Sequence, residues 1–205
     1  ELTTDQEQLR QAVRAAKIPE FVGTRLRDAA FRTINRSFEG IKGRKAVIVL
    51  TDGKDVDSRV SRDELTYSLQ ESDTLVYTVM FRTGLGRQLS MRERHFERYW
   101  RIRDGRDIRF PGRDEQRRQR VARMNERAVS FLQEMSEMTG GRFFTTSDGK
   151  LKKAFASIIE ELRSQYRLGF YPPEDAASEG LRHLKIRVNR PEVIVRSRTT
   201  YRIQR

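Results

Sequence analysis

The sequence contains no cysteine, which excludes disulfides, thiolate chemistry and zinc–thiolate centres and leaves the redox compartment undetermined. No run of about 18 apolar residues occurs, so nothing reads as a membrane-spanning helix. Histidine is nearly absent: His95 and His183 are the only two, and neither is placed by its surroundings as a catalytic base. Glu160 and Glu161 read as the solvated face of a helix, and Gly84-Leu85-Gly86 lacks the spacing of a phosphate-cradling loop. These shortages point away from an enzyme. No signal peptide is visible, and the chain opens at Glu1 rather than methionine, which reads as a processed or truncated end.

Charge is plentiful. Lysine and arginine number 42 against 29 aspartates and glutamates, for a formal net charge of +13. That balance makes nucleic acid, acidic polysaccharide or an anionic surface conceivable partners without choosing among them. Charged residues make up 35% of the chain and hydrophobic ones 36%, so burial is concentrated in a few strongly apolar segments.

Those segments are easily found. Thr4 followed by Glu7 reads as a capping box for a first helix carrying Leu9, Ala12, Val13 and Ala16. Gly23-Thr24 opens a second helix with Leu26, Ala29, Ala30, Ile34 and Phe38 on one face, stopped by Gly40 and Gly43. Lys45–Leu50 is a continuous apolar run, the pattern of a parallel strand buried on both faces. Ser61 and Glu64 cap a third helix through Leu65 and Leu69, and Thr74–Phe81 reads as a second buried strand. Strand, helix, strand at this spacing implies a right-handed parallel crossover.

Residues 82–127 interrupt the rhythm with 15 arginines against 7 acidic residues and read as an inserted loop with short helical pieces. A helix from Ala128, a stop at Gly140-Gly141, a short strand at Arg142–Thr146 and a helix with Leu151, Ala154, Phe155, Ile158, Ile159 and Leu162 follow. The expected organisation is an α/β unit over 1–164 and a β extension over 165–205. In the extension, Tyr166–Tyr171, Leu184–Val188, Val193–Arg198 and Tyr201–Ile203 read as antiparallel strands.

The sharpest local feature is Leu50-Thr51-Asp52-Gly53-Lys54-Asp55, at the carboxyl end of a buried strand, where ligands bind in open α/β sheets. Asp52 there either serves a hard cation such as Mg²⁺ or caps its own turn, as Asp-Gly pairs do. The segment Gly43–Ser58 resembles the fourth strand and metal loop of von Willebrand factor A domains. Gly23–Ala29 resembles the loop that supplies their metal-site threonine. With the tail at Ser164–Pro172, the combination is similar to an acidobacterial-type subgroup of secreted A-domain proteins.

The resemblance implies a Rossmann-like fold and a metal-ion-dependent adhesion site. Thr24 would coordinate Mg²⁺, or Ca²⁺ or Mn²⁺, directly, and Asp52 would bind it directly or through water. It also implies secretion to an extracellular or periplasmic setting. The family's Asp-x-Ser-x-Ser ligands are not in this sequence. By the family's order, the strand bearing them would lie upstream of Glu1 and beside Lys45–Leu50.

The expected function is therefore non-enzymatic binding of a protein or glycan through a divalent ion. An upstream fragment or neighbouring subunit would complete the sheet. One alternative is a subunit of an extracellular assembly or filament held by strand complementation. A second is polyanion binding through the arginine-rich segment, whose Phe96, Tyr99 and Trp100 could stack on bases; nucleic acid ranks below closure of a small satellite core.

Overall fold

The computed structural model describes residues 3–17, 24–81, 113–146, 150–171 and 180–202. Helix α1 (Gln6–Ala15) is capped not by Thr4 but by Asp5, whose carboxylate accepts from the amides of Glu7 and Gln8. A carboxylate at the helix start also meets the positive end of the dipole, an advantage a threonine lacks. Helix α1 buries none of its residues. Helix α2 (Leu26–Arg32) widens into a π-helical turn at Thr33–Ser37.

Strand β1 (Ala46–Thr51), helix α3 (Arg62–Glu71) and strand β2 (Leu75–Phe81) form the expected crossover. Ser61 caps α3 through the amide of Glu64 at 3.1 Å. Helix α4 runs from Arg113 to Thr139, so it begins within the stretch expected to be an inserted loop. Strand β3 (Phe143–Thr146) and helix α5 (Leu151–Arg163) complete the unit. The three strands lie in the order β1-β2-β3, all parallel.

Side-chain alternation puts two different layers on the sheet. Val49, Val76, Met80 and Phe143 face α2, α3 and α4, packing on Ala30, Leu65, Leu69, Leu132 and Met135. Ala46, Ile48, Tyr77, Val79 and Phe144 face α5, packing on Ala154 and Ile158. Strand β2 is the buried centre, with Thr78 and Val79 fully enclosed.

Polar contacts fix α4 to β2. The Thr78 hydroxyl lies 2.7 Å from that of Ser136 and donates to the Leu132 carbonyl at 2.9 Å, all in the interior. The Val76 amide lies beyond the start of β3, so no strand partner reaches it; the Thr139 hydroxyl accepts from it at 2.9 Å. The turn after α4 crosses β2 so closely that a Cβ at Gly141 would lie 2.0 Å from the Val76 carbonyl oxygen. Only glycine fits there.

The tail differs from expectation. Beyond α5, strands β4 (Leu181–His183) and β5 (Thr200–Arg202) pair antiparallel, but Tyr166–Tyr171, Leu184–Val188 and Val193–Arg198 form no ladder. Their alternation of apolar and polar residues suits a pleated surface, but they pair with no described strand. Tyr171 and Ile194 are accordingly exposed at 99% and 81%. The tail is held to the body instead by side chains. Arg198 donates to the Ser72 carbonyl and Arg202 to Gln70 at 3.1 Å, and the Arg202 guanidinium stacks over Tyr67.

Replacing Thr139 with valine leaves the Val76 amide buried without an acceptor. The expected loss is about 1–3 kcal/mol, read from urea denaturation midpoints, with Thr139→Ser close to wild type.

Candidate functional site

The carboxyl end of β1 enters a loop built from its own polar groups. The Thr51 hydroxyl accepts from the Gly53 amide at 3.1 Å, and Asp52 Oδ1 accepts from the Lys54 amide at 3.1 Å. The Lys54 ammonium lies 3.4 Å from Asp52 Oδ2. Asp52 therefore makes the Asx turn that the Asp-Gly pair suggested, and its side chain is otherwise open to solvent. Gly53 has φ of +85° and is packed so tightly that an added Cβ would lie 3.2 Å from both Ala128 and Met80. The loop is thus pressed beneath the middle of α4.

Thr24 lies just ahead of α2. Its carbonyl accepts from the Val56 amide at 2.7 Å, so the two loops singled out in the sequence are adjacent. Charged pairs between the same two loops reinforce the junction. Arg27 Nε reaches Asp55 at 2.6 Å with both side chains mostly shielded, and Arg25 reaches Asp57 at 2.8 Å. The Ser58 hydroxyl donates to Asp55 at 2.6 Å, and the Asp28 carboxylate accepts from the Val60 amide at 2.9 Å. Asp57 adopts φ of +64°, the left-handed conformation that aspartate tolerates better than most residues.

As a metal centre this arrangement is short of donors. Asp52 and Thr24 offer two side-chain ligands, whereas a hard cation takes about six oxygen ligands, part of them water. The neighbouring carboxylates of Asp55 and Asp57 are occupied by guanidinium groups, and no cluster of three or more His, Cys, Asp or Glu converges among the described residues. The described residues therefore do not by themselves fit a bound Mg²⁺. Sequence reading missed the Arg25–Asp57 and Arg27–Asp55 pairs, whose partners lie 32 and 28 residues apart.

The resolved proton-affinity shifts lie away from this edge. Burial, reinforced by Glu161 and opposed by Arg196, raises the Tyr77 phenol above its ordinary value. Burial lowers Arg198, against the pull of Asp73. His95, Phe96, Tyr99 and Trp100 lie outside the described residues. His183 is exposed in β4. No described helix is long and apolar enough to cross a membrane. No protein-family model, curated protein or solved structure matches the chain.

The Arg27–Asp55 pair joins the two loops in a partly shielded position. A double-mutant cycle with Arg27→Ala and Asp55→Ala is expected to give a coupling of about 1–2 kcal/mol, whereas the exposed Arg25–Asp57 pair is expected below about 1 kcal/mol.

Proposed function

We propose that the chain is a non-enzymatic binding module whose sheet is completed, at the outer edge of β1, by a strand from another polypeptide, an upstream fragment or a neighbouring subunit. The observation that supports this reading is the state of that edge. Among the described residues, β1 pairs with β2 alone, although it is apolar from Ala46 to Leu50. The Leu75 amide donates to the Lys45 carbonyl. By alternation along a parallel ladder, the N–H and C=O groups of Ala46, Ile48 and Leu50 therefore point away from β2. Such a row of free donors and acceptors is a template for strand addition.

The uncovered face agrees. A helix about 10 Å across covers about two strands spaced about 4.8 Å apart, and α5 is the one described helix on its side. Leu50, whose side chain shares that side with Ile48, is 51% exposed, and Ile159 on α5 is 47% exposed. An added strand with its own covering segment would enclose both. In the von Willebrand factor A reading, that strand also carries the Asp-x-Ser-x-Ser ligands to Thr24 and Asp52. It thereby makes a divalent-cation site for an acidic protein or glycan ligand outside the cytoplasm. Without those ligands the same edge serves assembly alone.

Leu50→Pro removes one outward amide and no β1–β2 hydrogen bond, at a half-exposed position. Sedimentation of the wild-type chain is expected to show concentration-dependent association that Leu50→Pro abolishes while circular dichroism stays unchanged. A wild-type monomer at all concentrations, with slow hydrogen exchange at the Ile48 and Leu50 amides, would mean the edge is already covered and would end this reading.

Titration calorimetry with Mg²⁺ separates the two versions. Heat that disappears in Asp52→Ala supports the cation site, and a wild-type titration that stays silent once the completing strand is bound supports metal-free assembly.

A further inference from the structure

Helix α4 has 27 residues and is about 40 Å long at 1.5 Å per residue. Only its carboxyl half packs on the sheet, through Val129, Phe131, Leu132 and Met135. In its amino half, Gln116, Gln119, Arg120 and every residue from 122 to 127 are exposed. Six consecutive exposed residues cover more than a full turn, so over residues 122–127 no face of the helix rests on the described body. The amino half spans about 22 Å over residues 113–127.

One side of the free half is chemically uniform. Gln116, Gln119, Arg120, Arg123, Met124 and Arg127 line a single shallow concave surface. Positions 116, 120, 123 and 127 recur at helical spacing, and Met124 is 60% exposed. Among the described residues no carboxylate forms an ion pair with Arg120, Arg123 or Arg127. Arginines elsewhere in the described body, among them Arg25, Arg27, Arg62 and Arg142, do have acidic partners. Over 113–127 the sequence carries six arginines against three acidic residues, Asp114, Glu115 and Glu126, within a chain of net charge +13.

We propose that the amino half of α4 binds duplex DNA by entering its major groove, with Arg120, Arg123 and Arg127 at phosphates and base edges. A helix with side chains is about 10–12 Å across and the B-form major groove about 12 Å wide. A helix exposed all round over residues 122–127 can enter such a groove. Arginine pairs bidentately with guanine, glutamine with adenine, and a methionine methyl group suits the thymine methyl. The deep, narrow major groove of duplex RNA does not admit a helix. The helix leaves the sheet at Ala128, against Gly53, so bound DNA would lie beyond the strand ends and leave the outer edge of β1 free.

The test uses the full 205-residue chain and a fluorescent DNA duplex of about 20 base pairs, two helical turns, followed by anisotropy across a salt series. Replacing Arg120, Arg123 and Arg127 together by alanine is expected to lower the slope of log affinity against log salt by about 0.9 for each that neutralises a phosphate, at most about 2.7, with an unchanged melting temperature. The triple lysine variant keeps the slope. Alanine at Lys150, Lys152 and Lys153, an equal charge removed from α5, leaves it unchanged, and Leu50→Pro binds DNA like wild type. The proposal is overturned if the α5 variant lowers the slope equally. Competition by duplex RNA or a sulfated polysaccharide as strong as by DNA would also overturn it, because the surface would then read charge and not a groove.

Discussion

Everything packed in this molecule is organised around β2, the one described strand with a neighbour on each edge. Its side chains alternate between two helical layers, so Val76 and Met80 are tied to the α3 and α4 side and Tyr77 and Val79 to the α5 side. Its backbone is equally committed. The Leu75 amide turns to Lys45 on β1, the Thr78 amide to Arg142 next to β3, and the Val76 amide to a threonine of α4. A buried strand carrying Thr78 in its centre is stable because that hydroxyl is satisfied by α4; an unsatisfied one would favour unfolding. The mixed α/β character of the chain follows from this strand.

The parts of the fold legible in the sequence are those where burial writes a pattern. Lys45–Leu50 and Thr74–Phe81 announce themselves as parallel strands because each is a continuous apolar run without alternation, and α5 shows its apolar stripe. The amino half of α4 was not legible as helix. Arginine, glutamine and glutamate are good helix formers, yet a helix that buries nothing has no apolar periodicity to read. The tail fails in the opposite direction. Its alternating residues promise strands, but a strand needs an edge to pair with, and only Leu181–His183 and Thr200–Arg202 have one.

The candidate site was legible in outline. Asp52 at a strand end and Thr24 ahead of a helix were both visible, and the structure makes their loops neighbours through a single backbone hydrogen bond. Its electrostatics were not visible, because a charge pair between residues far apart in sequence leaves no local signature. Arg25 and Arg27 neutralise the acids beside Asp52. The stretch richest in aspartate is thereby less able to hold a cation than its composition suggests, while the positive charge on the free half of α4 remains uncompensated by described carboxylates.

Helix α4 also has mechanical meaning. It is a stiff rod with one end clamped by hydroxyls to β2 and the other end free, and it bears on the rest of the molecule at Ala128. There a methyl group at Gly53 would press on Ala128 at 3.2 Å. A load that tilts the amino half of the helix bears at this contact on the turn containing Asp52.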